Sequence, residues 1–176
     1  MKIMGIDPGT KESAFVVIDP SDMSVHEKDH IPNEELRDFL NEWHRKNMNG
    51  WPYVACEGIQ SYGMSVGKET FETCYWIGRY WELCHGTGMF TIVYRKDIKL
   101  HLCQTTRAKE PNVRQALLDR YEPTGGGKNP KIGIKKQPGP LFGMANHLWS
   151  ALAVAVYFKE VLLNKKDKES FGEFSF

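Results

Sequence analysis

The stretch Lys2–Thr10 reads KIMGIDPGT and predicts a strand that ends in a carboxylate and a tight turn. The apolar run before Asp7 is typical of a buried strand. The Pro-Gly pair after Asp7 stops that strand and turns the chain, and the apolar run Ala14–Ile18 predicts a second strand. Asp7 is therefore either a turn aspartate that bonds its own backbone or a carboxylate held for a metal ion or a phosphate.

A second carboxylate follows a strand of the same design. The run Pro52–Glu57 is apolar until Glu57, and a glycine comes next. Two parallel neighbouring strands would bring Asp7 and Glu57 to the same edge of a sheet. Like charges at that distance repel, so a pair of this kind generally needs a cation to keep both groups ionised.

Length and composition favour one soluble domain. The chain has 176 residues, a length that is enough to bury a hydrophobic core. Its net charge is +1, and it has no apolar run long enough to cross a bilayer. We expect no signal peptide and a cytoplasmic location, because the chain begins directly with a strand. The cysteines lack zinc-type spacing and are expected to be free thiols; they are Cys56, Cys74, Cys84 and Cys103.

Positive charge is concentrated in one segment. Residues 95–136 contain eleven basic and four acidic residues, whereas residues 1–60 contain six basic and eleven acidic ones. A local charge of this size attracts a polyanion even in a chain that is balanced overall. The alternative is a solvated face next to a loop.

The other elements follow from their spacing. An edge strand is predicted at Val25–Ile31 and a strand at Phe90–Tyr94, with helices over 34–47, Lys68–Cys84, Arg95–Leu102, Arg107–Tyr121 and Met144–Leu163. Asn33 is predicted to cap the first of these helices, and His147 falls in the first turn of the last. Together the elements predict an α/β domain with a mixed sheet over residues 1–163 and a charged tail over 164–176.

Two loops are candidates for contacts with a ligand. The loop Gly58–Gly67 is either a plain connector or a mobile segment in which Tyr62 stacks on a base. The loop Pro123–Pro140 is rich in glycine, proline and lysine, so it is predicted to lack regular structure and to suit a phosphate backbone.

Four segments, in this order, resemble one family. GIDPGT at the first strand, the strand ending in Glu57, YRKDIKLHL with RAKEPNVRQAL, and HLWSALAVAV resemble RuvC-type Holliday-junction resolvases of the RNase H-like superfamily, most of all the phage-like branch. The resemblance covers about residues 1–163, and it implies a bacterial or phage-infected host cell as the place where the protein acts. It implies a central mixed five-stranded sheet flanked by helices, and a structure-selective endonuclease that hydrolyses phosphodiesters in branched DNA.

The resemblance also implies a metal centre. Asp7, Glu57 and His147 carry over as catalytic metal ligands, with Asp7 bridging two Mg²⁺ or Mn²⁺ ions, Glu57 on one ion and His147 on the other. The family's last acid falls on Ser150, which shares a helix face with His147 and supplies a hydroxyl or a bound water but no charge. Either three ligands are enough or the site is altered.

The expected partners are branched DNA, as four-way junctions or forks, and a second copy of the chain. A junction has two-fold symmetry, so paired cuts imply a homodimer, for which helix Lys68–Cys84 is the candidate interface. No membrane and no nucleotide cofactor are expected. The candidate DNA-binding residues are Tyr62, Lys96, Lys99, Arg107, Lys109, Arg114, Lys128, Lys131, Lys135 and Lys136.

Two other functions fit parts of the sequence. The segment Asp7–Thr10 nearly matches the phosphate-binding hairpin of sugar kinases and actin-like proteins, but that fold needs two domains, and no second phosphate loop is visible. Ser150 favours a second alternative, a catalytically weakened or inactive branched-DNA-binding protein of the same fold.

Overall fold

The computed structural model describes residues 1–46, 53–61, 63, 65–84 and 90–163. Five strands form the main sheet, five α-helices and a π-helical turn surround it, and a two-stranded hairpin lies apart from it. The elements are β1 (Ile3–Asp7), β2 (Glu12–Ile18), β3 (Val25–Pro32), α1 (Asn33–Lys46), β4 (Tyr53–Gly58), α2 (Lys68–Cys84), β5 (Phe90–Tyr94), α3 (Arg95–Cys103), α4 (Glu110–Leu118), β6 (Gly133–Ile134), β7 (Gln137–Pro138), α5 (Leu148–Tyr157) and the π-helical turn Phe158–Leu163.

The strand order of the main sheet is β3-β2-β1-β4-β5. β1, β4 and β5 run parallel, and β2 and β3 are antiparallel additions on one side, with β3 at the edge as predicted. The register pairs Ile6 with Cys56, so the next residues along, Asp7 and Glu57, end neighbouring parallel strands at the same edge. This confirms the mixed five-stranded sheet and the shared edge expected from the sequence.

Successive side chains of β1 point to opposite faces of the sheet, and each face is covered by different helices. Met4 and Ile6 are buried with residues of α1 and α2, whereas Ile3 is buried with α5. Gly5 lies under α5 so closely that a Cβ there would be 2.2 Å from the carbonyl oxygen of Ala151. The missing side chain allows α5 to pack directly on β1, which brings the start of α5 next to the end of that strand.

Asn33 does not cap α1 as predicted. It is the first residue of the helix and is buried, and its side chain bonds the turn after β1 instead of the helix backbone. Its Nδ2 donates to the carbonyl oxygen of Gly9 at 3.0 Å, and its Oδ1 accepts from Ser13 Oγ at 2.6 Å. The sequence shows a capping residue type, but only the packing of β3 against the turn decides which groups it bonds.

The loop over residues 123–140 is more ordered than its composition predicts. β6 and β7 pair as a short hairpin, with Gly133 opposite Pro138. Its glycines are places of close backbone packing, because a Cβ on Gly133 would lie 2.1 Å from the backbone nitrogen of Gly139. The expectation of no regular structure is therefore wrong for this segment.

Other boundaries differ slightly from those predicted. α4 begins at Glu110 rather than at Arg107, and α5 begins at Leu148 rather than at Met144. His147 is therefore the N-cap of α5 and not part of its first turn. None of the helices within the described residues has the length and apolar character needed to span a membrane. Tyr62 and the tail over 164–176 lie outside the described residues.

Candidate active site

The four predicted metal-site residues line one cleft. Asp7 and Glu57 come from the ends of β1 and β4, and His147 and Ser150 come from the start of α5. The cleft has a volume of about 1110 Å³ and is also lined by residues of β3 and α4. The fold thus brings together side chains from three distant parts of the chain.

A buried polar network fixes the turn that follows Asp7. The hydroxyl of Ser13 accepts a hydrogen bond from the backbone N–H of Gly9 and donates to Asn33 Oδ1. The hydroxyl of Tyr80, on α2, lies 3.2 Å from both Ser13 Oγ and Asn33 Oδ1. Because these groups are buried and bonded to each other, they hold the turn, and with it Asp7, in one conformation.

Asp7 is in direct contact with His147. The His147 Nδ1 atom lies 2.9 Å from Asp7 Oδ2, and an ionised carboxylate only accepts, so Nδ1 carries the donated proton. Burial raises the pKa of Asp7, and the hydrogen bond from His147 opposes that rise. Nε2 of His147 remains available as an acceptor or ligand.

Glu57 belongs to a second cluster, on the other side of the cleft. Arg95 Nη1 lies 3.3 Å from Glu57 Oε2, and the same guanidinium bonds Glu110, which also forms an ion pair with Lys99 at 3.4 Å. Burial raises the pKa of Glu57 to about 7, against the lowering effect of Arg95 and with a further rise from the charge of Asp7. The charge of Asp7 thus makes Glu57 harder to ionise, whereas the charge of Arg95 lowers the pKa of both carboxyl groups and offsets part of that effect.

The local backbone places both α5 residues at the cleft. Asn146 adopts a left-handed conformation, with φ of 42°, which turns the chain immediately before the N-cap. His147 and Ser150 are three positions apart and so lie on one side of the helix start. Ser150 lines the cleft, as its spacing from His147 predicts.

The predicted DNA-binding residues occupy different environments. Arg114 lines the cleft and stacks on Trp149, with its guanidinium carbon 4.7 Å from the ring centroid. Lys99 is held by Glu110, and Lys131 is partly buried. The exposed members of the set are Arg114 itself and Lys96, Arg107, Lys109, Lys128, Lys135 and Lys136. Their contact with DNA stays a prediction.

Four charged or aromatic residues of the cleft were not predicted from the sequence as site residues. His30, Arg95, Glu110 and Trp149 all line it. Arg95 and Glu110 lie within the basic segment, and their charges gave no sign that Arg95 binds both Glu110 and Glu57. His30 lies on a charged edge strand, and the β2–β3 register decides which face of the sheet its side chain is on. No local pattern identifies such a residue, because its neighbours come from another part of the chain.

The donor set suits a divalent cation, although it is not preformed. Two carboxylates and an imidazole in one cleft are ligands that Mg²⁺ and Mn²⁺ accept, and a bound cation would oppose the burial that raises the pKa of Glu57. Within the described residues, no three His, Cys, Asp or Glu side chains are already arranged around one point. The Asp7 carboxylate contacts His147, and the Glu57 carboxylate contacts Arg95.

Comparisons with known proteins define the fold class. A structure of RuvC from Thermus thermophilus superposes with a TM-score of 0.65 at 15% identity, covering 95% of this chain and 97% of that one. A second, of T. thermophilus RuvC in complex with a Holliday junction substrate, gives 0.64 at 15% identity, covering 95% and 96%. The fold is thus RNase H-like and similar to that of RuvC. No family model and no curated protein sequence matches the chain.

Proposed function

We propose that this protein is a metal-dependent, structure-selective endonuclease that cleaves branched DNA, such as Holliday junctions, by phosphodiester hydrolysis. The observation that carries the proposal is the meeting of Asp7, Glu57, His147 and Ser150 in one cleft. This cleft belongs to a fold that superposes on RuvC over nearly its whole length. The fold alone would leave the activity open, because one fold serves many functions.

The residues of the cleft have separate roles in this proposal. Asp7, Glu57 and His147 hold Mg²⁺ or Mn²⁺, and Ser150 contributes a neutral oxygen. When bound, such ions activate a water and stabilise the leaving oxygen of the phosphodiester. Arg95 keeps the Glu57 carboxylate oriented through its bond to Oε2, and the buried network behind Gly9 keeps Asp7 from turning away.

The basic segment is proposed to bind the DNA backbone. Exposed lysines and arginines of α3, α4 and the hairpin loop provide the charge that phosphates require. Arg114 adds a guanidinium at the cleft itself, held by its stacking on Trp149. One of the similar structures is a complex of RuvC with a Holliday junction substrate, which supports a branched DNA as the partner here.

A second copy of the chain is proposed to pack on α2. Phe71, Tyr75 and Gly78 follow the i, i+4, i+7 spacing of one helix face, and Tyr75 is 75% exposed. A Cβ on Gly78 would meet nothing within 4 Å, so this face has room for another helix to approach. In an antiparallel pair centred on Tyr75, Lys68 of one protomer faces Glu82 of the other, which matches their charges.

The dimer is tested with Tyr75→Glu. We expect a monomer by light scattering, because two buried carboxylates would then meet at the centre of the pair. Leu100→Glu, on an exposed position of α3, is the matched control and should remain dimeric. A wild-type chain that is monomeric at all concentrations would contradict this interface.

The nuclease activity is tested with synthetic four-way junctions, labelled on each strand in turn. We expect paired, symmetric cuts with Mg²⁺ or Mn²⁺ and none with EDTA, and little cutting of a linear duplex of the same sequence. An absence of cutting with either ion, together with selective binding of the junction in a gel shift, would favour the alternative of an inactive junction-binding protein. Ser150 is the observation behind that alternative, since it leaves the site one charge short.

A further inference from the structure

We propose that His30 is a positioning residue of the candidate active site, which holds the imidazole of His147 against Asp7. The ring centroids of His30 and His147 lie 5.2 Å apart, and the ring planes are inclined by 48°. This is the separation at which aromatic rings attract each other. The effect of this contact on catalysis rests on the proposed function, whereas its effect on the orientation of the His147 ring does not.

The sheet register creates this contact. Asp7 pairs with Ala14, and Ala14 pairs with His30, so the three side chains form one row across β1, β2 and β3. Paired residues point to the same face of a sheet, and neighbouring strands are about 4.8 Å apart. His147 contacts the side chains at both ends of the row, and the alanine in the middle leaves space for its ring.

The His147 side chain needs such support. It is 64% exposed and stands at the N-cap of α5, before the part of the helix that packs in the core. An exposed imidazole loses rotamer freedom when it is fixed in one orientation, and the single bond to Asp7 must offset that cost. The His30 ring closes one side of the available space and therefore favours the orientation in which Nδ1 faces Asp7.

His30 also lies near a carboxylate of β2. Its Nε2 lies 4.0 Å from the Glu12 carboxylate, so this nitrogen is directed to β2 while the ring meets His147. Both histidines also line the smaller groove formed by the β1–β2 turn. The contact with His147 is thus made by the ring of His30, and a residue with a similar ring can replace it.

The test compares His30→Ala with His30→Phe in the full-length protein. The first readout is the ¹⁵N spectrum of the His147 ring without metal, which distinguishes the Nδ1–H from the Nε2–H form. We expect His30→Ala to lose the pure Nδ1–H signature and to bind Mn²⁺ about ten-fold more weakly in calorimetry, as is typical when a partner that orients a ligand is removed. His30→Phe should recover most of both losses.

His26→Ala is the matched control, because His26 lies on the same edge strand and is directed to Asp19. Its His147 spectrum and Mn²⁺ affinity should equal those of the wild type. The proposal is overturned if His30→Ala leaves the His147 spectrum unchanged, or if His30→Phe is as impaired as His30→Ala, which would assign the role to a nitrogen. A wild-type protein that cuts no branched DNA would refute the proposed function, and the spectra would still decide the role of His30.

Discussion

The Nδ1 atom of His147 lies 2.9 Å from Oδ2 of Asp7, although 140 residues separate the two in the chain. The contact joins the end of the central strand to the start of the last helix. Gly5 makes it possible, because α5 approaches β1 where that strand has no side chain.

Asp7→Asn should abolish cleavage and preserve binding of the junction. The substitution removes one of the two carboxylates that would hold the ions, and we expect the single-turnover rate to fall by more than about a hundred-fold. Loss of a negative charge next to the scissile phosphate should leave the junction Kd equal or tighter. Asp38→Asn, on an exposed position of α1, is the control, and normal cutting by Asp7→Asn would refute the site.

Ser150→Asp should strengthen the metal centre. A carboxylate three positions after His147 would add the charge that the site lacks, and we expect the Mg²⁺ concentration for half-maximal cutting to fall by about ten-fold. The measurement is a metal titration of the cleavage rate at a fixed junction concentration. Ser24→Asp, in the exposed β2–β3 turn, controls for added charge. An unchanged metal requirement would mean that Ser150 does not face the ions.

Glu57 should make the stability of the metal-free protein depend on pH. Its pKa is raised from 4.5 to about 7 by burial, so between these values the folded protein binds more protons than the unfolded chain. The free energy of unfolding therefore falls as the pH rises through this window, and above it the destabilisation is complete. Thermal melts in EDTA should show this fall for the wild type and a flatter profile for Glu57→Gln.

The raised pKa of Glu57 also predicts how metal affinity depends on pH. Mg²⁺ binds an ionised carboxylate, so affinity should rise up to about pH 7 and binding should release protons. Glu35→Gln, exposed on α1, should behave as the wild type in both experiments. An identical pH profile in Glu57→Gln and the wild type would show that Glu57 is not the group responsible.

Neutralising the loop lysines should weaken junction binding and reduce its dependence on salt. Each phosphate contact contributes about 0.9 to the magnitude of the slope of log K against log salt concentration, so glutamine at all four positions should reduce that magnitude by up to about 3.6. The positions are Lys128, Lys131, Lys135 and Lys136. Lys2→Gln, at the opposite end of β1 from Asp7, is the control, and an unchanged slope would show that the loop does not touch DNA.

Asn33→Ala should destabilise the fold and disturb the turn after β1. The change removes the acceptor that Ser13 and Tyr80 share and the donor to the carbonyl of Gly9, at a cost of about 1–3 kcal/mol. Chemical denaturation should report this loss, whereas Ser24→Ala, which removes an exposed hydrogen bond, should cost much less. A stability equal to that of the wild type would mean that the network does not hold the turn.

The sequence by itself determined the strand, the turn and the two carboxylates at one edge. Alternating and helical spacing predict nearly every element of the sheet and its helices, because burial of one face imposes a period on the residues. The strand that ends in Asp7 and the strand that ends in Glu57 needed no further information, since parallel neighbours finish at the same edge. The place of His147 and Ser150 followed from their resemblance to a known motif.

Only the tertiary structure decided which groups meet those residues. The pairing of Arg95 with Glu57 and Glu110, the tilted ring contact of His30 with His147 and the bonds of Asn33 to the β1–β2 turn all join segments that are distant in sequence. Such contacts depend on strand register and on the closeness of α5 to Gly5. The strand register and this close approach produce no periodic pattern of residue types in the sequence, because each is set by how separately formed elements pack together.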